Sequence, residues 1–118
     1  MFKRTLLAAS VAALGLVGPA LAEDVLIVDV AELSGAGAAA GGVWHDGVIL
    51  GFDDINAAGG ILGRMVDLQG YDSQTDPQNS RAMVQRAIDN GTYVLIGTVY
   101  SSSTIVNMLV AQQNGMPQ

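Results

Sequence analysis

The sequence predicts an α/β fold, a three-layer sandwich in which a parallel sheet lies between helices, in the order β-α-β-α-β-α. Three observations carry this reading. Two β-branched, nearly uncharged runs, Val25–Val30 and Tyr93–Val99, have the length and composition of buried parallel strands. Stretches with apolar residues at helical spacing lie between and after the strand-like runs. Glycines close each of these stretches, at Gly59-Gly60, Gly91 and Gly115. Strands that alternate with helices over short connections pair in parallel, with right-handed crossovers.

Val25–Val30 (VLIVDV) reads as the first strand, with Asp29 near its end, and a loop of small residues, Ala31–Gly42, follows it. From Val43 to Ala58 the residues Trp44, Val48, Phe52 and Ile55 fall on one helical face, which places Trp44 in the core. Met65–Tyr71 alternates Val66, Leu68 and Gly70 with Asp67 and Gln69, the pattern of a strand less buried than the first. Asp76-Pro77 opens the second helix: aspartate caps free N–H groups and proline suits the first turn. Its inward stripe is Met83, Val84, Ala87 and Ile88, and Asn90-Gly91 ends it. Tyr93–Val99 carries no charge and is expected inside the sheet. Ser101–Ser103 are expected to cap a third helix, with Ile105, Val106, Leu109 and Val110 on one face. Met116-Pro117-Gln118 reads as the start of a further element.

Met1–Ala22 reads as a cleaved secretory signal peptide. Lys3 and Arg4 form a basic start, Thr5–Val17 is apolar but too short to span a bilayer, and Ala20-Leu21-Ala22 offers a cleavage site after Ala22. Residues 23–118 then form the folded part, exported to the periplasm. All eleven acidic residues lie in that part, and the whole chain has a net charge of −6. Such a balance repels phosphate backbones, so no nucleic-acid partner is expected. The chain has no cysteine, which excludes disulfides, zinc–thiolate sites and a cysteine nucleophile.

In open parallel sheets, ligands bind beyond the carboxyl ends of the strands. The loops to examine are therefore Ala31–Gly42, Asp72–Asp76 and Tyr100–Thr104. Ser101-Ser102-Ser103-Thr104 precedes a helix, where N–H groups, hydroxyls and the helix dipole favour an anion such as a carboxylate. The residues alone leave open whether this is a ligand site or an ordinary helix cap. Gly35, Gly37 and Ala40 satisfy G-x-G-x-x-A, a weak dinucleotide fingerprint that starts too far from the strand, with its acidic partner, Asp54, inside a helix. His45-Asp46 is a poor base pair, because adjacent helix residues diverge, and a helix-packing or exposed histidine is the better reading. Asp53-Asp54 and Asp72/Asp76 match no metal loop, and no catalytic triad or acid–base pair is assembled. Neither a cofactor nor an enzyme activity is expected.

One combination of motifs is specific. Leu33-Ser34-Gly35, Gly47 and Asp54-Ile55-Asn56-Ala57-Ala58-Gly59-Gly60-Ile61-Leu62-Gly63-Arg64 are followed by Tyr71-Asp72, Asp76-Pro77, Ile96-Gly97 and Tyr100-Ser101-Ser102-Ser103-Thr104. In this order and spacing, the chain resembles the periplasmic substrate-binding proteins of branched-chain amino-acid ABC transporters. The resemblance implies the N-terminal part of one lobe of a type I periplasmic binding fold, with the second lobe absent. It implies a small amino-acid-like ligand, an ABC transporter permease as membrane partner and a monomer at full length. It assigns the ligand's α-carboxylate to Ser101, with Ser102 and Ser103 in support. Val99 and Tyr100 then border the ligand's side chain, while Ser34 and Ala40 line the cleft from the first loop. Ala40 stands where the family often has an aromatic residue, and Thr75 and Tyr100 stand where some members have a disulfide. These departures loosen the implied preference for leucine and admit larger, more polar or amide-bearing ligands. A ligand-sensing receptor domain on the same fold is the alternative, and a Rossmann-type enzyme a weaker one.

Overall fold

The computed structural model describes residues 23–118. The leader expected at Met1–Ala22 lies outside them. Six elements follow one another: β1 (Val25–Ala31), α1 (Ala38–Ala57), β2 (Val66–Asp72), α2 (Pro77–Asp89), β3 (Val94–Ile96) and α3 (Ser101–Gln113). The strands form one sheet in the order β2-β1-β3, and both pairings are parallel. The α/β reading and the order of elements hold.

β1 takes the central place because its residues are apolar on both faces. Leu26, Val28 and Val30 point one way, and Val25, Ile27 and Ala31 the other. Val28, Val30, Tyr71 and Leu95 join Val84 and Ala87 of α2 and Val110 and Ala111 of α3 in one core. Val25, Ile27 and Val66 form the opposite core, with Phe52 of α1 against them. The sheet is therefore covered by α1 on one face and by α2 and α3 on the other. β2 is less buried than β1, as its alternating polar residues require.

The helix ends follow their expected chemistry where a cap or glycine governs them. Asp76 accepts the Asn79 N–H at 2.7 Å, with Pro77 in the first turn of α2. Gly59 and Gly60 after α1 have φ of 103° and 77°, the left-handed turn that stops a helix. Among the described residues, no helix is long and apolar enough to cross a membrane.

Several expectations need correction. α1 begins at Ala38, not Val43, so Ala40 is an exposed residue of its first turn and not part of the loop. Three consecutive alanines favour helix strongly enough to carry it through Gly41-Gly42. The face of α1 toward the sheet runs through Gly41, His45, Val48, Phe52 and Asn56, one step round from the expected stripe. Trp44 therefore remains 44% exposed and is not a core residue. Asp29 is fully buried within β1 instead of closing it.

β3 is three residues long and is an outer strand among the described residues. Gly97, at φ 91°, turns the chain away, and a Cβ there would lie 2.3 Å from the Val30 carbonyl oxygen. Met116–Gln118 runs beside the free edge of β3, where the Leu95 N–H donates to the Pro117 carbonyl at 3.0 Å. α3 has no side-chain cap, because Tyr100 occupies the N-cap position and Ser101 is already helical. It packs through Ser103, Asn107, Val110 and Ala111, and Asn107 Nδ2 donates to Ser80 Oγ of α2 at 2.9 Å. This small, polar side lets the two helices approach closely and turns Ile105 and Leu109 outward.

Candidate functional site

The carboxyl ends of the three strands carry three loops on one side of the molecule. β1 and β3 are neighbours, yet they lead to helices on opposite faces of the sheet. The crevice between their loops is thus the switch point at which open α/β sheets hold ligands.

The first and second loops are tied into one unit by Asp72, the last residue of β2. Its Oδ1 accepts the N–H groups of Leu33 and Ser34, each at 3.0 Å, and that of Gln74 at 2.8 Å. Its Oδ2 accepts the Ser34 hydroxyl at 2.6 Å. Thr75 closes the link from the other side: its hydroxyl donates to the Ser34 carbonyl at 2.8 Å and accepts the Gly37 N–H at 2.9 Å. Gly35, at φ 79°, passes so near that a Cβ would lie 2.6 Å from the Gln74 carbonyl oxygen.

Burial pushes the Asp72 pKa up, but the bonds from the Ser34 hydroxyl and from the Gln74, Ser34 and Leu33 N–H groups outweigh it. They hold the carboxyl below its ordinary 3.8. The ionised form is therefore the one that folding favours. Its contribution is complete above the ordinary value and drains away as the pH falls through the lowered folded value. The expected result is a stability gap between wild type and Asp72→Asn that is constant above about pH 5 and narrows below about pH 4. Urea midpoints across that range check it, and a gap that persists to about pH 2 contradicts it.

The third loop, Gly97–Tyr100, leads into α3. The Val99 N–H donates to Glu32 Oε2 at 3.2 Å, and the Thr98 and Thr104 hydroxyls meet at 2.9 Å. The first N–H groups of a helix have no partner inside it. In α3 these belong to Ser101 and Ser102, both exposed, as are Val99 and Tyr100. Ser103 faces inward and is buried. Tyr100 reaches across to the first loop, where a Cβ on Gly37 would lie 2.8 Å from its ring and 3.1 Å from Thr75 Oγ1. Thr75 and Tyr100 thus converge on Gly37.

The structure gathers Ser34, Val99, Tyr100, Ser101 and Ser102 at this end of the sheet. Ser34 spends its hydroxyl on Asp72, and Ala40 stands apart in α1. His45 is not paired with Asp46: its Nδ1 lies 2.7 Å from Oδ2 of the buried Asp29. Sequence reading missed Glu32, which is buried under the third loop, and the Asp72 clamp. The signal for both was an acidic residue at the carboxyl end of a strand. Among the described residues, no group of three or more potential metal ligands is assembled. A depression of about 590 Å³ near Asp24, Arg64, Asn90 and Met116 lies at the opposite, amino end of the strands.

Comparison with known proteins agrees with this geometry. The periplasmic binding protein family is matched over residues 27–118. The Leu/Ile/Val-binding protein of Escherichia coli is 36% identical over 85 residues, which is 72% of this chain and 23% of that protein. The Leu/Ile/Val/Thr-binding protein of Salmonella typhimurium is 36% identical over 101 residues, 86% of this chain and 27% of that protein. The branched-chain amino acid transporter substrate binding protein of Streptococcus pneumoniae, solved with isoleucine, superimposes with a TM-score of 0.78 at 26% identity. That match covers 80% of this chain and 27% of that one. The chain spans about a quarter of the length of these relatives. Sequence, strand order and structural likeness agree: the chain belongs to the periplasmic binding protein family.

Proposed function

We propose that this chain supplies the first part of an extracytoplasmic solute-binding protein that takes branched-chain or related amino acids, or their amides, and delivers them to an ABC transporter permease. The observation that carries this reading is the exposed Ser101-Ser102 pair at the start of α3, beside Tyr100 at the carboxyl end of the sheet. Free N–H groups, two hydroxyls and the positive end of the helix dipole together suit a carboxylate. Relatives named for binding Leu, Ile and Val support the amino-acid class.

In this reading Ser101 receives the ligand's α-carboxylate and Ser102 assists from the same turn. The buried Ser103 acts from behind, holding α3 in place. Val99 and Tyr100 border the ligand's side chain. Tyr100 supplies aromatic surface that Ala40, small and set back in α1, does not. Ser34 shapes the first loop through Asp72 and does not present a free hydroxyl. Residues 1–22 direct export and are removed after Ala22, the protein works in the periplasm as a monomer with a second lobe closing over the ligand, and no catalysis takes place.

Calorimetric titration of the intact protein with leucine, isoleucine, valine and glutamine tests this. Ser101→Ala is expected to weaken binding about tenfold, the loss of one hydrogen bond to a charged group. Equal affinity in the variant removes Ser101 from the role, and no binding of any of the four by wild type removes the reading itself.

A further inference from the structure

Glu32 is the largest of the fully buried side chains and stands one residue beyond β1, at the switch point. Its Oε2 accepts the Val99 N–H at 3.2 Å, the long end of the hydrogen-bond range. Its Oε1 is buried with no hydrogen-bond partner. Among the described residues it joins no ion pair, for the one pair there links His45 and Asp29. Whether or not the carboxyl carries a proton, one buried oxygen is unmatched, and that costs folding free energy. One long hydrogen bond does not offset it. An unbranched apolar side chain of similar length would fill the same space without the cost. For folding alone, Glu32 is a poor choice, and buried polar groups of that kind collect where function needs them.

The group that Glu32 holds belongs to the third loop. Among the described residues, the other hydrogen bonds of Thr98–Tyr100 stay within that loop and the first turn of α3. The Thr98 and Thr104 hydroxyls meet at 2.9 Å, and the Tyr100 carbonyl accepts from Thr98, Ser103 and Thr104. Loop and helix start thus move as one unit, and the bond from Val99 to Glu32 is what ties that unit to the first loop. A Cβ on Gly37 would lie 2.8 Å from the Tyr100 ring and 3.1 Å from the Glu32 Cβ, so both side chains close on the same glycine. A shift of Val99 carries Tyr100 and Ser101 with it. These are ligand contacts in the reading above, on which this inference rests.

We propose that Glu32 is a positioning residue for ligand capture: through the Val99 N–H it holds the third loop against the first, at a cost in stability, so that Tyr100 and the Ser101 turn stand in place before a ligand arrives. Its effect passes through Val99, and it does not touch the ligand. The affinity it adds is entropic, because a loop ordered in advance is not ordered again on binding.

Two variants separate this role from a structural one. Glu32→Met keeps the length of the side chain and removes the acceptor, whereas Glu32→Gln keeps an oxygen for the Val99 N–H. The intact protein is titrated calorimetrically with leucine, isoleucine, valine and glutamine, and melted without ligand. Glu32→Met is expected to melt about 2 °C above wild type, yet to bind the tightest of the four about tenfold more weakly, with the loss in the entropy of binding. Glu32→Gln is expected to bind within about threefold of wild type. If Glu32→Met melts below wild type, the residue is structural and the proposal falls. It falls equally if Glu32→Met binds as wild type does, or if Glu32→Gln weakens binding as much as Glu32→Met; the solute-binding reading then stands. Binding of none of the four by wild type overturns both.

Discussion

Replacing His45 by leucine is expected to cost about 3–5 kcal/mol of folding stability. Asp29 lies in the central strand with 0% exposure, and its carboxylate has two side-chain partners. His45 Nδ1 is 2.7 Å from Oδ2, and Trp44 Nε1 donates to Oδ1 at 3.3 Å. The sheet makes room for the imidazole at Gly70, where a Cβ would lie 2.5 Å from His45 Cε1. Without the ring, a carboxylate is held in the core by one long bond from a half-exposed tryptophan. The penalty belongs to the unpaired charge and not to the imidazole as such. Adding Asp29→Val to His45→Leu is therefore expected to restore most of the loss. Denaturant midpoints of wild type and the two variants measure it. A double variant as unstable as the single one would place the cost in packing instead.

The second large effect comes from a glycine within α1. Gly41→Ala is expected to destabilise by about 3 kcal/mol, the upper end of what overpacking costs. Alanine ordinarily stabilises a helix over glycine by about 1 kcal/mol. At Gly41 the added Cβ would stand 2.2 Å from the Glu32 carbonyl oxygen and 2.7 Å from its carbon. The obstacle is backbone at the end of the central strand, which cannot rotate aside. Gly47 on the same helix is exposed, with nothing within 4 Å of an added Cβ. Gly47→Ala is accordingly expected to stabilise by about 0.5–1 kcal/mol. Thermal unfolding of both variants checks the pair. The same sign for both would show that helix propensity, not clearance, decides.

The order of elements was legible because local chemistry sets it. The Asp76-Pro77 start, the Gly59-Gly60 stop and the β-branched runs act within a few residues of themselves. The rotation of the helices was not legible, because it depends on partners far along the chain. α1 turns His45 inward to meet Asp29, and α3 turns Asn107 inward to meet Ser80. In each case a polar contact took a place that an apolar stripe suggested for a larger residue. The placement of Ser101 and Tyr100 between strand and helix was readable, because it is local. The burial of Glu32 and the clamping role of Asp72 were not read, since they rest on Val99 and Ser34 arriving from other loops.

In the proposed solute-binding role, the Asp72 clamp also bears on where the entropy of ligand capture falls. Leu33, Ser34 and Gly37 already hold their backbone hydrogen bonds before any ligand arrives. Ordering these residues was charged to folding, so association does not pay for it again. The third loop is joined to the first by one hydrogen bond, from the Val99 N–H to the Glu32 side chain. In that role, loss of conformational freedom on binding would fall mainly on Thr98–Tyr100. In the proposed solute-binding role the first two loops would act as a fixed jaw, and the affinity would depend on how much freedom the third loop retains without ligand.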